Sequence, residues 1–258
     1  MTAVSTFRLY ASDTQRTLDT ISQRPRISRD VEYYKENISN IKSLEDFMGD
    51  SRIFSFTMKA YGLEDMIYAR AFIEKIIEGG TEDTKSLANQ LTDPRYKELA
   101  SDFDFHRYGS ATTSFSRVTE DVVDKFYHQA IEVEAGNQST GARLALYFQR
   151  KVENVEKTIS LLADPAFLEV TQVALGLPAS MSATTIDKQV AMIEERLDVE
   201  DLKDPEFLAK FMERFTILYD LNNPESIAVP SIVPLSSNSY QTISYDLLAS
   251  IQNLKLNV

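Results

Sequence analysis

The two histidines of the chain are the first candidates for chemistry, because imidazole binds metals and transfers protons near neutral pH. His128 and Glu132 are four residues apart, and Glu134 follows closely. On a helix, His128 and Glu132 would share one face, where a metal site could begin. Polar pairs at this spacing are common on exposed helix faces, so we interpret this one as a surface pair on an acidic helix.

The second histidine, His106, precedes a run of hydroxyl side chains at Ser110, Thr112, Thr113 and Ser114. A nucleophile and a base could be drawn from this set. However, the sequence lacks the G-x-S-x-G elbow that exposes a nucleophilic serine in many hydrolases. We therefore interpret residues 103–118 as a connector with a solvated loop.

Other catalytic patterns are also missing from the sequence. Glu194 and Glu195 are paired acids, but adjacent positions on a helix point about 100° apart and do not converge. No glycine-rich phosphate loop is present, and there is no cysteine for thiolate or disulfide chemistry. We predict no catalytic residues, no metal and no cofactor, and hence a protein that is not an enzyme.

The charge balance bears on the class of partner. The chain has 39 acidic and 27 basic residues, a formal net charge of −12. Nucleic acids and anionic membranes attract clustered lysine and arginine, so we expect neither as a partner. No apolar run approaches the ~18–20 residues of a membrane span. Arg8, Asp13 and Arg16 interrupt the N-terminal region, so we also expect no cleaved signal peptide.

The spacing of apolar residues predicts helices almost everywhere. Three Asp-Pro pairs, at residues 93–94, 164–165 and 204–205, are typical of helix starts. Gly62 and Gly176 follow apolar helical runs, so we predict that each ends a helix with positive φ. Apolar positions three and four apart predict one helix over 140–163 and a further core face at Ile186, Val190, Ile193 and Leu197. No alternating pattern supports a sheet, and the fold class is predicted as all-α.

The chain also contains an internal repeat. A shift of 114 positions aligns Tyr33–Leu63 with Tyr147–Leu177 without a gap, and pairs Tyr33 with Tyr147, Asp50 with Asp164 and Gly62 with Gly176. With a short insertion, Asp83 and Leu87 then align with Asp204 and Leu208. The alignment predicts two copies of a helical unit, near 33–105 and 147–221. Two copies are fewer than a solenoid needs, so we predict one pseudo-symmetric helical body over 25–221.

The two ends of the chain carry narrow apolar seams with heptad-like spacing. In the N-terminal segment, 1–24, the principal seam residues are Val4, Phe7, Leu18 and Ile21. In the C-terminal segment, 222–258, an irregular linker precedes a seam with Leu247, Ile251 and Leu254. Each seam is too short to form a stable helix alone. We predict that they are interaction surfaces that pack on the body, on each other or on a neighbouring subunit, which makes self-association an option.

Three stretches resemble a known bacterial family. They are FTMKAYGLEDMIYARAFIEKIIEGG (56–80), SLANQLTDPRYKELASDF (86–103) and ALGLPASMSATTIDKQVAMIEERLDVEDLKDPEFLAKFMERF (174–215). Together they resemble the alphaproteobacterial domain-of-unknown-function 1217 family. This resemblance implies a helical protein with repeated units, often encoded among flagellar genes. The family has no established catalytic residues, so the resemblance assigns none here.

Two classes of function follow. The first is a non-enzymatic structural or assembly protein associated with the bacterial flagellum, with flagellar components as partners. The second is a soluble cytoplasmic binding module or chaperone-like regulator for a basic or amphipathic protein partner. The expected location is accordingly the flagellum or the cytoplasm.

Overall fold

The computed structural model describes residues 1–224. This part of the chain is helical and contains no strand, which confirms the all-α prediction. Within the same residues, no helix combines the length and the apolar character that a membrane span requires. The irregular linker and the C-terminal seam residues Leu247, Ile251 and Leu254 lie outside the described residues, apart from the first residues of the linker.

Fifteen α-helices form within the described residues. They are α1 (Ala3–Ala11), α2 (Thr14–Ser22), α3 (Pro25–Asn37), α4 (Leu44–Gly49), α5 (Ser51–Ala60), α6 (Arg70–Gly79), α7 (Leu87–Gln90), α8 (Pro94–Asp102), α9 (Phe105–Tyr108), α10 (Glu120–Gln138), α11 (Thr140–Lys151), α12 (Thr158–Ala163), α13 (Pro165–Leu175), α14 (Ile186–Glu194) and α15 (Pro205–Asn222). Six 3₁₀ turns connect them at Ile38–Asn40, Glu64–Met66, Gly109–Ser114, Val152–Asn154, Ala179–Ala183 and Val199–Lys203.

The three Asp-Pro pairs begin helices for the expected physical reason. The side chains of Asp93, Asp164 and Asp204 each accept hydrogen bonds from first-turn N–H groups of α8, α13 and α15. Proline follows at the first helical position, where its missing N–H leaves no donor unsatisfied. These starts can therefore be predicted from two adjacent residues alone.

The two predicted helix stops share one geometry. Gly62 and Gly176 have φ of +69° and +62°. In each case the leucine after the glycine donates its N–H five residues back, from Leu63 to Met58 and from Leu177 to Gln172, both at 2.8 Å. This is the Schellman motif, in which the glycine takes the left-handed conformation and the next apolar side chain is buried.

Two local predictions were wrong. The single helix expected over 140–163 is two helices, because the chain leaves α11 through the turn at Val152–Asn154 before α12 begins. Val152 and Val155 are both buried by this break, although their spacing of three also fits a continuous helix. The predicted connector 103–118 is not a solvated loop either, since it forms α9 and a 3₁₀ turn and buries Phe105.

The bounds of the two repeated segments correspond closely. At a shift of 114, the turn Ile38–Asn40 falls on Val152–Asn154, α4 falls on α12, and α5 begins where α13 begins. The same side-chain bond recurs: the Tyr33 hydroxyl donates to Asp50 at 2.9 Å, and the Tyr147 hydroxyl donates to Asp164 at 2.7 Å. One local architecture is therefore present twice.

The correspondence ends beyond the glycine stops. The alignment of Asp83 with Asp204 fails, because Asp204 begins the 18-residue helix α15 while only the four-residue helix α7 follows Asp83. The shared part is thus the segment α3–α5 and its counterpart α11–α13. Pseudo-symmetry of the whole body stays a prediction.

The described residues bury two hydrophobic cores. The first is drawn from residues 31–126 and surrounds α5, and the second is drawn from residues 3–21 and 131–219 and surrounds α11, α13 and α15. Helix α10 contributes to both, and Tyr127 packs against each. The N-terminal segment 1–24 therefore contributes to the second core.

Two glycines provide a matched test of this packing. A Cβ at Gly141 would lie within 2.8 Å of three ring carbons of the buried Tyr219, whereas one at Gly49 would meet nothing within 4 Å. Alanine is the better helix former by about 1 kcal/mol, so propensity alone would make both changes stabilising. We expect Gly141→Ala to lower the free energy of unfolding by about 1–3 kcal/mol through overpacking, and Gly49→Ala to raise it by about 0.5 kcal/mol.

Urea unfolding followed by circular dichroism measures both changes. If Gly141→Ala were also stabilising, α11 and α15 would not pack as closely as the structure shows.

Candidate protein-docking site

The residues that the sequence suggested for metal binding or catalysis make other contacts in the structure. Glu132 is buried and accepts a hydrogen bond from Arg150 Nε at 2.6 Å, so its carboxylate is committed to that guanidinium and not to His128. Burial lowers the pKa of His128, and the nearby Arg150 charge adds to the effect. No group of three potential metal ligands occurs within residues 1–224.

The second histidine cluster does not assemble either. His106 is exposed at the surface. The hydroxyl of Thr112 donates to the backbone carbonyls of Asp104 and Gly109, and that of Thr113 donates to Ile41. These buried hydroxyls hold the turn against the first core.

The N-terminal seam is turned inward. Phe7 and Ile21 are buried, and Val4 and Leu18 are half-buried. The seam is not continuous, because Asp13 begins a new helix by accepting the N–H of Arg16. Helix α1 packs against α11 and α15, and α2 packs against α10. The sequence left open whether this seam packs on the body, on the other terminal seam or on a neighbouring subunit. In the structure it packs on the body.

A buried carboxylate fixes the start of α1. Asp220, on α15, accepts the N–H of Ala3 at 2.7 Å and that of Val4 at 3.1 Å. A carboxylate at this position satisfies free first-turn donors and complements the positive end of the helix dipole. The N-terminal seam is consequently occupied by this chain's own core.

Unpartnered apolar surface lies elsewhere, between α12 and α14. A groove of about 720 Å³ runs between these helices. Its apolar lining includes Ile159, Val190 and Leu197, of which Ile159 is 50% exposed. Ile186, one helical turn before Val190 on α14, is 58% exposed. We call this surface the α12–α14 groove.

The rim of the α12–α14 groove is acidic. Four exposed carboxylates line it, from Glu156, Asp187, Glu194 and Asp198, against the single cation of Lys157. None of the four has an ion-pair partner within residues 1–224. An apolar floor with an acidic rim is complementary to an amphipathic segment with basic flanks.

Sequence reasoning assigned Ile186 and Val190 to a core face and so missed this surface. The structure buries Ile193 and Leu197 of that face but leaves Ile186 exposed. The repeat contains the signal that could have found it. At a shift of 114, Ile159 corresponds to Glu45, which is exposed on α4. The second unit therefore has isoleucine where the first unit has an ordinary solvated carboxylate.

These features define an all-helical, two-core domain with one local architecture used twice. The chain belongs to the family described as "Protein of unknown function (DUF1217)", whose model matches residues 60–208. That range includes both glycine stops and the α12–α14 groove. The resemblance seen in the sequence is thereby confirmed at the level of the family.

A solved structure agrees with this fold. The chain is similar to protein AGR_C_984 from Agrobacterium tumefaciens, known from an X-ray crystal structure, with 40% sequence identity and a TM-score of 0.78. The match covers 87% of this chain and 96% of that chain. A search of the curated proteins finds no match.

Proposed function

We propose that this protein is a non-enzymatic binding module that docks a basic, amphipathic segment of another protein in the α12–α14 groove, in the assembly of the bacterial flagellum. The observation that carries the proposal is the pair of exposed isoleucines, Ile159 and Ile186, beside four carboxylates that form no ion pair within residues 1–224. The flagellar setting rests on the family resemblance.

The groove suits helix-in-groove recognition. A partner helix presents apolar side chains at every third and fourth position, and these anchors would cover Ile159, Ile186 and Val190. Covering such side chains contributes about 25 cal/mol per Å² of apolar surface removed from water. The rim carboxylates would pair with flanking lysines or arginines and speed the encounter.

The N-terminal helices support a binding module over an axial building block. Axial flagellar proteins pair short heptad-bearing N- and C-terminal segments around a central body. Here Phe7 and Ile21 are buried in the chain's own second core, so those side chains are occupied before any neighbour arrives. A structural role built on self-association remains the second candidate, with the C-terminal seam as its contact.

Binding to designed peptides tests the groove directly. The probe is a fluorescent amphipathic peptide of leucine and lysine with apolar residues at i, i+3, i+4 and i+7, and its control replaces every lysine by glutamate. We expect saturable binding of the lysine peptide alone, measured by fluorescence anisotropy. Its affinity should fall as salt rises, because rim charges are screened beyond about 10 Å at 0.1 M.

A matched pair of variants assigns the binding to this surface. Ile159→Glu gives the second unit the residue that the first unit has at Glu45, and should weaken lysine-peptide binding about tenfold or more. A change at the corresponding position of the first unit, Glu45→Ala, should leave binding unchanged. Equal binding of both peptides, or an Ile159→Glu variant that binds the lysine peptide normally, would refute the proposal that the α12–α14 groove is the binding site.

The flagellar setting is tested separately in the source bacterium. A strain without the protein should swim poorly, the wild-type chain should restore motility, and the Ile159→Glu chain should not. If the strain without the protein swims normally, the protein has no role in flagellar assembly. The peptide-binding measurement would still stand. Sedimentation of the purified protein tests the second candidate, since concentration-dependent self-association would favour it.

A further inference from the structure

A second cavity lies where the two repeated units meet, and it differs in character from the groove. Its volume is about 460 Å³, within the range of ligand sites. The C-terminal end of α5, the N-terminal ends of α8 and α13, and the facing sides of α10 and α11 line it. We call it the central cleft.

The side chains that line the central cleft include more bases than acids, whereas the whole chain has more acids than bases. The lining has five basic side chains, from Arg95, Lys125, Arg143, Arg150 and Lys151, and only four carboxylates, from Asp93, Glu98, Glu132 and Asp164. This local balance of +1 contrasts with the net charge of −12.

Four of the five bases are neutralised by ion pairs within the protein. Arg95 pairs with Asp93 at 2.6 Å, and Arg150 pairs with Glu132 at 2.6 Å. Lys125 and Lys151 share Glu98, at 3.0 and 2.7 Å, and Lys125 also pairs with Asp102 at 2.6 Å. Burial would raise the pKa of Glu98, but the two lysines outweigh it and hold that pKa below its ordinary value. The pair between Lys151 and Glu98 joins the two units, and none of these four paired bases is available to a ligand.

Arg143 is the exception. It is exposed at the cleft, and its guanidinium has no carboxylate or hydrogen-bond partner within residues 1–224. A Cβ at Gly136 would lie 2.8 Å from Arg143 Cδ, so the stem of this arginine crosses α10 at that glycine. The packing fixes the stem while the guanidinium stays unpaired, which is the arrangement of a carboxylate receptor.

Gln129 is the second unpartnered group. Its side chain is 9% exposed, lines the central cleft, and makes no hydrogen bond with any residue of the described part. Both amide heavy atoms lie 3.3 Å from where a Cβ on Gly62 would be, so the amide stands over the backbone of that helix stop. Neither amide atom is fully enclosed, so water reaches the amide through the cleft and a peptide group of a ligand could replace that water.

We infer that the central cleft binds an extended, acidic peptide segment, with the Gln129 amide paired to a peptide group and Arg143 paired to a carboxylate. The primary amide can accept from an N–H and donate to a C=O of the same ligand. Gln129 and Gly136 are seven residues apart on α10, which is about 10 Å of helix. An extended peptide covers this distance in about three residues.

Short peptides test the geometry. The probe is an acetylated and amidated Ala-Ala-Ala-Glu peptide, followed through the side-chain NMR signals of Gln129 and Arg143 in the full chain. We expect both signals to shift and saturate at millimolar peptide. The Ala-Ala-Ala-Gln peptide should bind about tenfold more weakly, and glutarate, which has carboxylates but no peptide group, should shift Arg143 without Gln129.

Two variants separate ligand binding from a structural role. Arg143→Gln should abolish the preference for Glu over Gln in the peptide, whereas the exposed control Arg16→Gln should preserve it. Gln129→Leu should weaken both peptides several-fold while leaving the apo protein as stable as before, since the Gln129 amide makes no hydrogen bond within the described residues. A Gln129→Leu chain that unfolds more readily, or peptides that shift neither signal, would overturn the inference.

Discussion

Phe7→Ala is expected to lower the free energy of unfolding by about 3–5 kcal/mol, a large part of the stability of an ordinary domain. The change removes a buried aromatic ring from the second core, where α1 packs against α11 and α15. A cavity of that size closes only partially, because Asp220 holds the start of α1 in place. Urea unfolding of the full chain measures the loss.

Leu9 supplies the matched control on the same helix. Its side chain is 57% exposed, so Leu9→Ala should change stability by no more than about 0.5 kcal/mol. If Phe7→Ala proved as mild as Leu9→Ala, the N-terminal seam would not be part of the core, and the axial type of flagellar protein would regain support. Deletion of residues 1–24 should be at least as damaging as Phe7→Ala.

Glu132→Leu is expected to lower the free energy of unfolding by about 3 kcal/mol or more. Glu132 is 2% exposed and pairs with Arg150, so its removal leaves the largely buried Arg150 guanidinium without its carboxylate, in a cleft that Lys125 and Lys151 also line. The cause is the uncompensated buried charge, more than the loss of one hydrogen bond.

That cause makes a distinctive prediction for the double variant. Combining Glu132→Leu with Arg150→Met removes both charges, and stability should return to within about 1 kcal/mol of the wild type, or exceed it. The exposed pair between Arg8 and Glu213 is the control, and Glu213→Ala should have an effect below about 1 kcal/mol. A double variant as unstable as Glu132→Leu would show that packing, and not charge, sets the loss.

The parts of the fold that were predictable are those encoded by adjacent residues. Asp164 followed by proline starts a helix wherever it occurs, because the cap and the missing N–H are local effects. Gly176 ends the helix for an equally local reason. The repeat was readable as well, since the identities at a shift of 114 fall on structural positions such as Tyr147 and Asp164.

Features that depend on distant residues were not predictable. The break after Lys151 was hidden, because Val152 and Val155 keep a helical spacing across it. The site where Phe7 packs is formed by α11 and α15, which are more than 130 residues away in sequence. Periodicity marks a residue as apolar but not as covered, so Ile186 was assigned to the core. Nothing in the sequence marks Gln129, since the lack of a hydrogen-bond partner for its amide becomes visible only in the packed structure.

The division of the cores has a consequence for biosynthesis. Residues 31–126 are contiguous, so the first core can close while the ribosome is still translating the second half. Helix α1 must wait for Asp220 and the rest of α15. At ~5–20 residues per second this delay is ~10–40 s. The first helix to emerge is thus among the last to dock, and the nascent chain displays Phe7 throughout that interval.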